Sequence, residues 1–130
     1  MKRFTGTQLG LWSLRIDALY CAIVGVAVFF WAEQVSVGTG LPHPLVAAAG
    51  IAVVAWAALV AWMSMRLRLR VALRLVMVVN IVAALLVATI SVAAASVLVV
   101  LAILAVAFDV ALFAASQAVA LRRMSVRPAA

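Results

Sequence analysis

Asp17, Glu33 and Asp109 are the only acidic side chains in a sequence of 130 residues, and ten lysines and arginines outweigh them, giving a net charge of +7. A carboxyl group can carry a proton, hold a cation or anchor an ion pair, and its distance from water decides which. Asp109 stands 13 residues before Arg122, about 20 Å along a helix at 1.5 Å per residue. Asn80 stands ten residues past Arg70, about 15 Å from the same basic edge. The two are therefore expected at a shared depth and hydrogen-bonded to each other. An ionised aspartate in hydrocarbon costs several kcal/mol unless it is paired or neutral, so Asp109 should face protein or water. Two uses are open to the pair. It is either an interhelical bond, of a kind worth ~0.6 kcal/mol on average in membranes, or a proton- or cation-carrying site, with Ser116 and Gln117 extending it toward the basic end.

The other reactive residues promise less. Asp17 is expected at the inner boundary of the first apolar segment, in a structural ion pair with Arg74 or Arg15, where the positive end of a helix dipole favours a carboxylate. Glu33 and His43 are too few for a metal site, and no cofactor is expected. Cys21 reads as a small buried apolar side chain. The stretch "WAALVAWMSM" at 56–65 reads as interfacial anchors and gap fillers. With no nucleophile–base–acid set, metal cluster or glycine-rich phosphate loop, no enzymatic activity is expected.

The elements that must position these groups are dictated by composition. The chain is 71% hydrophobic with a mean hydropathy of +1.37, too apolar to cover a soluble core with charge. A membrane-spanning helix needs about 20 mostly apolar residues. Four segments meet that length, at roughly 16–35, 45–65, 71–91 and 97–120. The expected fold is all-α, a four-helix transmembrane bundle forming one membrane domain over residues 1–130. The first segment is expected to be a retained span, because its apolar run continues to Val35 without a small-x-small cleavage site. "EQVSVGTGLPHPL" has the composition of a tight turn, with Pro44 opening the second helix. A turn near Ser91 to Ser96 is required by length.

Charge fixes the orientation. Lys2, Arg3 and Arg15 open the chain, Arg66, Arg68, Arg70 and Arg74 separate the second span from the third, and Arg122, Arg123 and Arg127 follow the fourth. Basic residues in short loops are retained in the cytoplasm, so both termini and the arginine turn are expected there. Arg66, Arg68, Arg70, Arg122 and Arg123 would hold that topology and meet anionic lipid headgroups, at about 1 kcal/mol each. Lipids rather than nucleic acid are the partners this charge implies. So one-sided a bias excludes dual-orientation assembly, and any self-association should be parallel.

Small residues mark the expected helix contacts. Ala102, Ala105, Asp109, Ser116 and Ala120 recur on one side of the fourth helix, and Asn80, Ala83, Ala84, Val87 and Ala88 line the third. These faces are expected to meet. "LRIDALYCAIVGV" and "LRLVMVVNIVAAL" share an opening that a duplicated two-helix unit would leave. The "LRIDA" of the first span, "GLPHPL" before the second, mid-span Asn80 and Gln117 ahead of "LRR" resemble the uncharacterised small four-span integral membrane proteins of high-GC Gram-positive bacteria. The resemblance implies the bacterial cytoplasmic membrane and no particular activity; small multidrug-transporter and fluoride-channel signatures are not matched. The leading expectation is an accessory or scaffold subunit packed against another membrane protein. A small oligomeric transporter or channel using Asp109 and a phage-type hole-forming protein are the alternatives.

Overall fold

The computed structural model describes residues 5–125 and contains helices and turns, with no strand among the described residues. Lys2, Arg3 and Arg127 lie outside them. The helices are α1 (Gly6–Phe30), α2 (Ala32–Thr39), α3 (His43–Arg66), α4 (Leu69–Ile90) and α5 (Val97–Ser125). Four of them, all but α2, are long and apolar enough to cross a membrane, consistent with a multi-pass membrane protein.

Helix α1 begins ten residues before the span expected at 16. Thr5 caps it: its hydroxyl accepts from the Gln8 N–H at 3.2 Å, and the Gln8 side chain accepts from the Thr5 N–H at 3.2 Å. This reciprocal capping box satisfies two donors that a helix start leaves orphaned. Hydropathy locates an apolar run, whereas the cap locates the helix, and here the polar residues Gln8, Ser13, Arg15 and Asp17 lie inside it. The helix breaks at Trp31 (φ −104°, ψ 28°), so the presumed tight connection holds the short helix α2. That helix ends on Gly40 in the left-handed conformation (φ 74°), which glycine adopts without the steric cost of a Cβ. Pro44 sits in the first turn of α3, as its missing N–H allows. Only Leu67 and Arg68 separate α3 from α4, so the alternating "RLRLR" is a turn between helices. At the opposite end a single 3-10 turn, Ser91–Ala93, leads toward α5, where length required a turn.

Packing divides the bundle into two antiparallel pairs, α1 with α3 and α4 with α5, joined along a seam between α1 and α5. In lipid no hydrophobic force drives helices together, so close van der Waals contact must. At the α1–α3 crossing two glycines face each other. A Cβ added at Gly50 would stand 2.7 Å from the Phe29 nitrogen and 2.9 Å from the Gly25 carbonyl oxygen; one at Gly25 would meet the Gly50 oxygen at 2.8 Å. Gly6 lies equally close to the backbone of α5 at Ala120 and Met124, and Gly10 against Leu73 of α4. Helix α1 thus turns a glycine toward each of its three long neighbours.

Where α1 starts, α5 ends and α3 turns into α4, Leu14, Val60, Met63, Leu73, Val76 and Ala120 form the buried apolar core. The ends of the described chain and the arginine turn therefore share one end of the bundle. Arg70 fastens that end by donating to the Met124 carbonyl at 2.8 Å, satisfying one of the acceptors a helix C-terminus leaves open.

Gly50→Ala should lower stability by about 1–3 kcal/mol, the range for overpacking a tight contact. Gly38→Ala, whose added Cβ meets only the Val99 methyls at 3.4 Å or more, should be nearly neutral. Unfolding of both variants in mixed detergent micelles followed by circular dichroism measures the difference.

Candidate functional site

Ser13, Tyr20 and Cys21 stand three or four residues from Asp17 on α1 and so share its face of the helix. All four make side-chain hydrogen bonds. Asp17 is the centre of the cluster, 1% exposed. Its Oδ2 accepts from the Asn80 amide of α4 at 2.6 Å and from the Gln117 amide of α5 at 2.9 Å. Its Oδ1 accepts from the Cys21 thiol at 3.4 Å. Asn80 also donates to the Gln117 carbonyl oxygen at 3.3 Å. Three helices are thus tied at one carboxyl group. Among the described residues no buried side-chain nitrogen or oxygen lacks a partner.

The seam between α1 and α5 runs on in both directions. Toward the arginine end, the Ser13 and Ser116 hydroxyls are 2.6 Å apart, and Ser116 donates to the Phe113 carbonyl at 2.8 Å. Toward the other end, the Tyr20 hydroxyl donates to Asp109 Oδ2 at 2.9 Å, and the Tyr20 ring lies 5.3 Å from that of Phe113 at a 59° tilt. Gly6 against Arg123, Ser13 against Ser116 and Tyr20 against Asp109 repeat at seven residues on each helix. Seven-residue spacing keeps one seam facing a partner helix in left-handed bundles.

Two expected pairings are corrected. Asn80 does not bond Asp109; it bonds Asp17 and Gln117. Asp109 is eight residues from Gln117, about 12 Å along α5, so the depths inferred separately from Arg70 and Arg122 differ by more than a hydrogen bond spans. Nor does Asp17 pair with Arg74 at the inner boundary. The early start of α1 puts Asp17 near mid-helix, while Arg74 is on the exposed side of α4. The small-residue face of α5 is corrected with them: Asp109 and Ser116 bond α1 rather than α4, Ala120 lies against Gly6 of α1 as well as in the core that includes Leu73 and Val76 of α4, and Ala102 and Ala105 are exposed.

Arg66, Arg68, Arg70, Arg122 and Arg123 are exposed at the end where the α3–α4 turn and the last turn of α5 lie. Tyr20, Ser13 and the Cys21 thiol are the participants that sequence reasoning missed, although their spacing around Asp17 made a common face legible. Among the described residues no group of three His, Cys, Asp or Glu side chains is placed to hold a metal. Comparison with protein-family models, curated proteins and solved structures gives no match to this chain.

The chemistry follows from burial and donors. A carboxyl group that accepts two amide N–H groups and a thiol is held rigidly, and each donor is an uncharged group from the same chain. Asn80→Leu should cost about 1–3 kcal/mol, the penalty for stripping a donor from a buried polar group. Gln117→Leu should cost a similar amount, and the double variant should depart from the sum of the two because both amides bond one oxygen. Mixed-micelle unfolding of the three variants tests this, and strict additivity would show the bonds to be independent.

Proposed function

We propose that this chain is an accessory or scaffold subunit of the bacterial cytoplasmic membrane, with the arginine turn and both chain ends on the cytoplasmic side. The observation that carries this reading is where the polar bonds are spent. Asp17, Asn80 and Gln117 are satisfied by one another across three helices, as suits a fixed frame more than a site that must exchange protons or ions. Basic residues gathered at one end of the bundle support the orientation through their preference for the cytoplasmic side. The outward faces of α4 and α5 remain apolar, with Leu85, Leu86, Leu98 and Leu101 exposed, and Met77, Ile81, Ala111 and Ala115 line a shallow groove between these helices. Close packing against small residues is the usual means of helix association in lipid.

A second reading is favoured by Asp109, which lies near the middle of α5, is only half-buried and bonds a single tyrosine hydroxyl. Intramembrane acids of this kind mark transport sites, and a small oligomeric transporter or channel would use it.

A photo-crosslinking residue at Ala115, in native membranes, separates the two readings. The scaffold reading expects one recurrent adduct with a different membrane protein, absent when the probe is moved to Ile51 on the exposed face of α3. Adducts with lipid alone would remove that reading. Adducts between copies of the chain, with ion flux in vesicles that Asp109→Asn abolishes, would establish the second.

A further inference from the structure

We propose that the corner formed by Tyr20, Asp109 and Phe113 binds a lipophilic organic cation from the membrane interior. The proposal goes beyond the scaffold reading, and it rests on the second reading only in placing a ligand at Asp109.

The two aspartates of the bundle differ in their surroundings. Asp17 is enclosed and its two oxygens accept three donors. Asp109 is half-buried; its Oδ2 takes the Tyr20 hydroxyl at 2.9 Å, while its Oδ1 accepts no hydrogen bond from the described residues. An ionised carboxylate open to hydrocarbon must find a cation or take up a proton, and among the described residues no cation is bonded to Asp109. Arg122, the first cation after Asp109 on α5, is about 20 Å away along the helix. On α1, Arg15 lies about 7.5 Å from Tyr20 toward the arginine end and is exposed, where a long basic side chain can reach the headgroups.

The surroundings decide which cation fits. A small metal ion binds through several oxygens, and here one carboxyl group stands among carbon atoms. The Tyr20 and Phe113 rings lie 5.3 Å apart beside it, and Phe108, Leu19 and Leu112 are exposed nearby on the same two helices. Aromatic rings attract a weakly hydrated organic cation through their quadrupoles, and the apolar substituents of such a cation remain in lipid. The site thus offers charge balance at Oδ1, aromatic contact at its sides and direct access from the bilayer.

Tetraphenylphosphonium is the probe, added to the full chain in nanodiscs and read by equilibrium dialysis. Saturable binding should weaken about tenfold or more in Asp109→Asn and about two- to fivefold in Phe113→Leu, the latter matching an exposed cation–π contact. The isosteric anion tetraphenylborate should show no dependence on residue 109. Asn keeps an oxygen for the Tyr20 hydroxyl, and the Phe113 variant leaves every side-chain hydrogen bond of the seam in place, so a folding defect in one leaves the other to decide. The unaltered chain gives its own readout, because Tyr20 is its one tyrosine: a 13Cζ-tyrosine resonance should shift on titration with the phosphonium and not with the borate. Absent binding, equal affinity in wild type and Asp109→Asn, or an unmoved Tyr20 resonance would overturn the proposal. Proton flux through Asp109 without phosphonium binding would do the same while keeping the transport reading; binding without flux would support the proposal and remove transport.

Discussion

A carboxyl group shut away from water must find its donors within the protein. Asp17 does so with amides from α4 and α5 and a thiol from its own helix. Much of the architecture is arranged around that requirement. The amides reach one oxygen only if α1, α4 and α5 hold a fixed depth relative to one another. A slide of α5 by one turn would move Gln117 about 5.4 Å away and break its bond to Asp17.

Apolar packing cannot impose that register by itself, because lipid solvates leucine and valine as well as a neighbouring helix does. Division of labour follows. Close contact at Gly25 and Gly50 holds the first pair together within its own hairpin. The second pair, α4 with α5, meets the first through close contacts at Gly6 and Gly10 and also through side-chain hydrogen bonds at Ser13–Ser116, Asp17–Asn80, Asp17–Gln117 and Tyr20–Asp109. Helix α1 belongs to both kinds of contact: Gly25 faces α3, while Gly6 lies on the same seven-residue seam toward α5 as Ser13 and Tyr20. The most apolar stretch of α1 is less apolar than those of the other three long helices, and the capping box at Thr5 and Gln8 stabilises the start of its polar first half.

How much of this the sequence disclosed differs by level. Four apolar helices and their turns were legible because hydropathy reports what lipid tolerates, and the clustering of arginines at one end followed from their positions. The start of α1 was not, since hydropathy discounts a polar helical turn; the T-x-x-Q pattern at Thr5 to Gln8 was the available signal. The depth of Asp109 near mid-helix was readable by counting. Its partner was not, because counting from two separate edges accumulates error over ten or more residues, and a hydrogen bond admits only a few tenths of an ångström. Asn80 and Gln117 stood out as polar, yet nothing in their own helices said that both address Asp17. That assignment needed the position of α1, which its cap determines.

The register of the α1–α5 seam can be read directly by disulfide formation. With Cys21→Ser as background, Ser13→Cys and Ser116→Cys place two thiols where hydroxyls 2.6 Å apart now stand. Mild oxidation in native membranes should close an intramolecular bond quickly and nearly completely, because a disulfide forms only where the Cα atoms come within about 7 Å. Moving the second cysteine to Leu112, one turn along α5 and on its exposed side, should abolish closure. Rapid closure at 112 with none at 116 would contradict the register, and with it the three-helix bonding of Asp17.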